Sequence, residues 1–469
     1  MAAGRESIHG QWSSRWIFIL AATGSAVGLG NIWRFPYVTG ESGGGAFVLI
    51  YLLCVLLVGL PIMIAEVLLG RRGRRSPINT MAALADDEGL SSRWRFLGWM
   101  GVLAGFVILS FYSVVAGWSL AYVFYVASGV FAEAAVDDAQ ATFAALTGSA
   151  GRLTLWHTIF MSMSIAVVAR GVKGGLEQAV KFLTPALFVM LLAMVGYALV
   201  SGDAAAGFHY LFEPDFSKIT GDVVLAALGQ AFFSLSLGMG SIMIYGSYLS
   251  DDASIAETAG IIALADTLVA LLAGIAIFPI VFGYGLGPGQ GPGLVFMTLT
   301  IAFGHMPGGQ FFGALFFVLL SVAAWTSAIS LLEPVVAWLV ESLGWGRIRS
   351  ALVGGGAAWL LGFGSLLSFN VLSDFTPGGR SFFDWSEFIS TSVLLPLGGM
   401  FIAIFAGWHM RLASTMEEMG GGASVLYRAW LGLVLFVAPV GVALVFLEGS
   451  GLRAVIGSLL GALAARLFG

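Results

Sequence analysis

Residues 21–36 read AATGSAVGLGNIWRFP, from Ala21 to Pro36. The stretch lies in a run apolar enough to cross a bilayer, yet it holds Gly24, Gly28 and Gly30, then Asn31 and Arg34. A plain membrane helix has no use for three glycines, an amide and a guanidinium so close together. Glycine lacks a Cβ and loosens a helix, so backbone groups there can stop bonding to each other and face something else. In hydrocarbon an unpaired carbonyl is costly, and broken backbone persists at that depth only where it lines a site. The stretch therefore predicts half of an ion and substrate site at the bilayer midplane. The rest of the chain must supply the other half.

Composition says where the chain lives. Its 469 residues are 58% hydrophobic and only 10% charged, with mean hydropathy +0.94. Soluble domains carry about 25% charged residues, so this is a polytopic membrane protein. At roughly 20 apolar residues per span the length holds about eleven or twelve helices. Apolar segments fall near 15–38, 44–70, 95–129, 154–170, 176–200, 222–249, 257–286, 310–342, 351–372, 383–409 and 425–447, within one transmembrane domain over 1–469. No basic tract suggests nucleic acid. Cys54 is the only cysteine and lies in an apolar run, which leaves no disulfide framework and no thiolate metal site. The polar first twelve residues lead straight into a span bearing motif residues, so no cleavable signal is expected.

Arginine and lysine set the orientation. With the N terminus inside, the loop after the second span is cytoplasmic and reads GRRGRRSP, Gly70 to Pro77. Later inner loops carry Arg170, Lys173 and Lys181, then Arg347 and Arg349, then Arg411 and Arg428. The loop 131–153 has Arg152 against Glu133, Asp137 and Asp138, and goes outside. The expectation is a multi-pass protein of the cell's inner (plasma) membrane with a cytoplasmic N terminus. The segment 451–469 is apolar but short and reads as an interfacial helix in preference to a thin twelfth span.

A second span is interrupted like the first. In AFFSLSLGMGSIMIYGSY, Ala231 to Tyr248, Ser234, Ser236, Gly238 and Gly240 sit mid-span. The interrupted spans are the first and the sixth. Their equivalent places predict inverted repeats, near 12–200 and 222–409, with the site between two discontinuous helices, as in secondary transporters.

At these residues the chain resembles the neurotransmitter:sodium symporter family, and among its bacterial amino-acid transporters the leucine transporter. GSAVGLGNIWRFPY (Gly24 to Tyr37) with GGGAF (Gly43 to Phe47) resembles the family's first-helix signature. GQAFFSLSLGMG (Gly229 to Gly240) resembles its sixth helix and AAWTSAIS (Ala323 to Ser330) its eighth. Gly175 and Pro185 resemble a Gly-to-Pro unwinding motif in the fifth span. The match runs from about Trp12 to the eleventh span. It implies an all-α fold of two five-helix inverted repeats, about eleven transmembrane helices, and sodium-coupled uptake of a small solute by alternating access.

Sodium is a hard cation that takes oxygen ligands. The resemblance implies two sodium sites. One uses the Gly24, Val27 and Ala323 carbonyls and the hydroxyls of Thr326 and Ser327. The other uses the Ala26 carbonyl, Asn31, Ser234 and Asp266, completed by the substrate carboxylate. Serine and threonine in membrane helices ordinarily bond back to a carbonyl one turn earlier or pack helix on helix. Here the pair falls on a span expected to face the broken helices. Asp266 is the sharper signal, because a lone carboxylate at mid-membrane costs roughly 2.5–3.5 kcal/mol and is functional by default. Chloride-dependent members have a serine one turn after this position, where this chain has Ala270, and the other chloride-site positions match Tyr51, Gln230 and Ser234. Asp266 is thus expected to supply the negative charge, making transport chloride-independent.

Monoamine carriers of the family place an aspartate at Gly28. Without it the substrate needs its own carboxylate, which implies an amino acid. The Leu29 and Gly30 amides and the Tyr112 hydroxyl would hold that carboxylate, while the Ala26, Phe233 and Ser234 carbonyls and the Ser236 hydroxyl would take the ammonium. The side-chain pocket maps onto Ile108, Phe111, Phe233, Met239, Ser327 and Leu331, and the pliable Met239 favours neutral apolar side chains. An outer gate pairs Arg34 with Glu387, with Phe303 and Phe233 capping the site alongside Tyr112. An inner gate takes Glu341 as its acid. Three residues before Trp12, where the family has arginine, stands His9, and the nearest arginine is Arg5. Glu66 resembles a buried glutamate that supports unwound backbone. Ser25 stands where the leucine transporter has asparagine and receives no role.

Other classes fit less well. The histidines at 9, 157, 209, 305 and 409 are scattered, with no HExxH motif, and Trp33 stands where a dinucleotide fingerprint needs its third glycine. An enzyme is not expected. A channel or a non-transporting amino-acid sensor is disfavoured by two broken helices. Within transporters, the alternative cargo is another zwitterion, a betaine or a γ-amino acid.

Overall fold

The computed structural model describes residues 7–288, 293–422 and 424–452. Arg5 and the segment 453–469, read above as a gate residue and as most of the interfacial helix, lie outside the described residues. Among those described, nine continuous helices are long and apolar enough to cross a membrane. A tenth crossing is the pair Arg15–Ala26 and Gly30–Glu41, bent by 49° at its break. The sixth apolar segment is occupied by two shorter helices, Gly221–Ser234 and Ser241–Ser247. In chain order these helices occupy the eleven apolar segments read from the sequence.

The first span starts where Ser14 caps its helix by accepting from the Ile17 N–H. It stops at Val27, whose backbone is extended. In the sixth span the chain between Leu235 and Gly240 leaves the helix through positive φ at Ser236 (55°), Gly238 (76°) and Gly240 (76°). Glycine adopts that geometry freely, whereas Ser236 holds it at a cost of about 1–3 kcal/mol, a kind of strain that collects at functional sites. Glu66, fully buried in the second span Gly45–Gly73, accepts the freed Gly238 N–H at 2.6 Å. That carboxylate replaces the helical bond the break removed.

The third span (Ser92–Ala127) and the eighth (Gly309–Leu343) run through the centre, with 78% of their apolar cores buried, while the eleventh (Val425–Gly449) has only 22% buried. The two central spans are therefore the ones able to face both breaks. Gly101 and Gly105 let the third span lie against the unwound chain: a Cβ on Gly105 would stand 3.0 Å from the Met239 carbonyl.

One sequence expectation changes here. Between Gly175 and Pro185 the fifth span stays helical, a π turn over Val172–Leu176 running into the helix Glu177–Ser201. Proline removes one donor from that helix without ending it.

Candidate functional site

The two breaks meet between the third and eighth spans, and their loose backbone groups find partners across spans instead of along one helix. The Leu29 N–H donates to the Tyr112 hydroxyl at 3.2 Å and the Gly28 N–H to Asn31 Oδ1 at 3.2 Å. A Cβ built on Gly28 would lie 2.5 Å from Ser327 Oγ and 2.7 Å from the Tyr112 hydroxyl. A side chain there would require both hydroxyls to shift. Around that glycine a small cavity of about 20 Å³ is lined by Ala26, Gly30, Ile108, Tyr112, Phe233, Ser236, Met239, Ser327 and Leu331 among others. Nine of the predicted substrate residues thus meet in one place. Leu29 contributes its backbone, and Ser234 lies just behind.

Ser234 belongs to a buried polar cluster. The Asn31 side-chain amide donates to Asp266 Oδ1 at 2.8 Å, to the Asp266 carbonyl at 3.1 Å and to Ser234 Oγ at 3.1 Å. Ser234 Oγ donates to Asp266 Oδ2, and the Tyr51 hydroxyl lies 3.1 Å from Ser234 Oγ. Asp266 is fully buried, and no ion pair to it is present among the described residues. One negative charge ringed by oxygen-bearing neutral groups is a suitable environment for a cation. Ala26, from the same break, lies beside this cluster in sequence and lines the cavity.

A second set of oxygens gathers on the other side of the first span. A Cβ on Gly24 would sit 2.8 Å from Thr184 Oγ1 and 3.4 Å from Thr326 Cβ. Ser327 Oγ lies 3.3 Å from the Val27 carbonyl, and Thr326 Oγ1 donates to the Ala323 carbonyl at 3.0 Å. Gly24, Val27, Ala323, Thr326 and Ser327 therefore converge. Thr184, which also bonds the Leu20 carbonyl at 3.2 Å, joins them from the fifth span. Nothing in its local sequence marked it.

Three expectations need correction. Phe303 does not cap the site: it sits in the short helix Leu299–His305, its ring 5.9 Å from that of Phe316 and packed on Gly313. The turn at Gly308 folds that helix back onto the start of the eighth span and away from Phe233. Phe111 lines a second, larger cavity instead of the small one, edge-on to Phe383 at 5.5 Å. Arg34 and Glu387 also line that cavity, of about 310 Å³, and form no ion pair. Arg34 donates to Gln230 Oε1 at 2.8 Å and lies 5.1 Å over the Phe233 ring, which holds it away from Glu387.

The opposite end is shut. His9 Nε2 lies 3.0 Å from Glu341 Oε1, their side chains only 4% and 7% exposed. Glu341 also accepts from the Ser76 N–H at 2.7 Å, Ser76 Oγ at 2.6 Å and the Asn79 amide at 2.7 Å. Trp12 donates through its indole to the Tyr245 carbonyl at 3.1 Å and through its backbone to the Tyr248 carbonyl at 3.0 Å. His9, the departure noted in the sequence, is thus the residue that meets the predicted acid.

The comparisons with known proteins agree with this architecture. The model of the "Sodium:neurotransmitter symporter family" matches residues 9–143 and 131–451. An uncharacterized sodium-dependent transporter of Bacillus subtilis, YhdH, is 37% identical over 445 residues, covering 94% of this chain and 98% of that one. An uncharacterized sodium-dependent transporter of Haemophilus influenzae is 34% identical, covering 93% and 97%. The crystal structure of MhsT in complex with L-phenylalanine superposes with a TM-score of 0.87 at 44% identity, covering 95% of this chain and all (100%) of that one.

Proposed function

The chain belongs to the sodium:neurotransmitter symporter family, is a sodium-dependent multi-pass transporter and not an enzyme, and on that premise we propose that it imports neutral, hydrophobic L-amino acids without needing chloride. The observation that carries this reading is the crowding at Gly28. The Ser327 and Tyr112 hydroxyls stand where a Cβ would be, and the glycine itself presents no acid to a bare amine. A substrate with its own carboxylate suits such a site, and the Tyr112 hydroxyl, which accepts the Leu29 N–H, keeps its own hydrogen to donate to it. The apolar walls from Ile108, Phe233, Met239 and Leu331 suit a hydrophobic side chain. MhsT, bound to L-phenylalanine, adds weight from a relative.

Two sodium ions are assigned to the two oxygen clusters: one at Gly24, Val27, Ala323, Thr326 and Ser327, the other at Ala26, Asn31, Ser234 and Asp266. The charge of Asp266 takes the place of chloride. The Glu341 end faces the cytoplasm, as the arginine-rich loops favour. Two sodium ions entering with a zwitterion move two charges, worth roughly 2.3 kcal/mol each at 100 mV. A tenfold sodium gradient adds about 1.4 kcal/mol per ion. The sum, roughly 7 kcal/mol, supports accumulation by about five orders of magnitude when coupling is tight.

The test is uptake of labelled L-phenylalanine into proteoliposomes under an inward sodium gradient, with all twenty amino acids as competitors and gluconate replacing chloride. Sodium-dependent uptake, competed by apolar amino acids and unchanged in gluconate, is expected. Uptake that collapses in gluconate removes the role given to Asp266. Competition by a betaine or a γ-amino acid alone replaces the substrate.

A further inference from the structure

Ser25, buried in the last turn of the first half-helix, lines the small cavity but has been given no role in it. In an unbroken helix its carbonyl would accept the Leu29 N–H. That N–H goes instead to Tyr112, and the Ser25 carbonyl is taken by two hydroxyls: Ser236 Oγ at 3.0 Å from the break in the sixth span, and Ser327 Oγ at 3.0 Å from the eighth. A carbonyl only accepts, so both hydrogens must lie on the serines. A hydroxyl has one hydrogen and two lone pairs. With its hydrogen committed to Ser25, each serine keeps its lone pairs for something positive. Were Ser327 to donate to the Val27 carbonyl 3.3 Å away, it would occupy an oxygen the ion needs. The Ser25 side chain is anchored in turn. Its Oγ donates to Ser330 Oγ at 2.7 Å, and Ser330 Oγ donates to the Ser327 carbonyl at 2.8 Å.

The geometry points to Ser25 as a positioning residue that couples the two ligands. Its carbonyl turns the Ser327 hydroxyl into an acceptor for sodium and the Ser236 hydroxyl into an acceptor for the substrate ammonium, and the Ser25–Ser330 bond holds that carbonyl between them. One oxygen thus ties spans one, six and eight, so slackening it weakens both ligands together. This rests on the sodium and ammonium assignments proposed above.

The experiment measures binding of labelled L-phenylalanine to the purified full-length chain across a sodium titration, with the ligand-free melting temperature alongside. Ser25→Ala and Ser330→Ala are each expected to raise the half-saturating sodium concentration and the phenylalanine Kd together, about fivefold, the worth of one buried hydrogen bond. The double variant should be no worse than Ser330→Ala alone, because that change already removes the bond Ser25→Ala deletes. Ser25→Thr, which keeps a hydroxyl, should restore both values. Ser330→Ala reads the same bond from the eighth span should Ser25→Ala not fold. The inference is overturned by an unchanged sodium requirement in either folded alanine variant, by a loss confined to one ligand, or by additive single effects. Absence of sodium-dependent phenylalanine binding in the unsubstituted protein counts against the function reading instead.

Discussion

The two ends of the helix bundle treat their charges in opposite ways. At the Glu341 end, one carboxylate collects four hydrogen bonds, from His9, Asn79 and both donors of Ser76. Beside it Glu333 pairs with Arg347 and accepts the Tyr248 hydroxyl at 2.7 Å. Arg71 ties the second span to Glu418 at 2.8 Å. At the Arg34 end, Arg34 and Glu387 face a cavity of about 310 Å³ and the guanidinium rests on Gln230. The first end is closed by buried directional bonds, each leaving an unsatisfied group if broken. The second keeps an opposite pair unpaired at the wall of a largely aromatic cavity. Alternating access requires this asymmetry, since a midplane site open at both ends is a pore.

The largest effect should come from breaking the closed end. Glu341→Ala strands His9, Ser76 and Asn79, and removing one partner of a buried cluster costs about 3 kcal/mol or more. Hydrogen exchange over residues 7–20 should rise by more than tenfold, and sodium-driven uptake should fall to a similar degree. Unchanged exchange would mean that the Glu341 cluster does not hold this end shut.

Damage to the open end should act differently. Glu387→Gln removes the charge that Arg34 is expected to meet on closure, so uptake should fall about tenfold, equivalent to about 1.4 kcal/mol of lost closure. Equilibrium binding of L-phenylalanine should change far less. Equal losses in binding and uptake would place Glu387 in the site rather than at its mouth.

The smallest change sharpens the comparison. Gln230→Leu deletes the acceptor that restrains Arg34, freeing it toward Glu387. It also strips the Gly30 carbonyl of a 2.8 Å bond. A reporter on the cavity wall at Thr391 should show a shift toward the closed state of about threefold, on the order of one hydrogen bond. No shift would show that Gln230 does not hold the gate open.

Much of the site was legible along the chain because its signals are local. Three glycines and an amide within residues 24–31, and a lone carboxylate at Asp266 in an apolar helix, each violate what hydrocarbon demands of a plain span. Thr184 gave no such signal, since a threonine in a membrane helix ordinarily bonds its own backbone. Ser25 and Ser330 were visible only as ordinary small polar residues in quoted motifs. Their bond joins positions 305 apart in sequence. Phe303 shows the opposite error, an aromatic placed by analogy that a glycine turn carries elsewhere.

By itself the sequence determined the membrane solvent, the order of the apolar segments, which two are broken, and the kind of ligand their oxygens suit. Those follow from hydrophobic length, glycine placement and the cost of bare charge in hydrocarbon, all of which are set residue by residue. Only the tertiary structure decided where each freed group turned. The Ser25 carbonyl took two serines, Arg34 took Gln230, and Glu341 took His9. The reason is geometric. A hydrogen bond requires atoms about 3 Å apart and aligned, and spans far apart in sequence meet at that range only once all of them have packed.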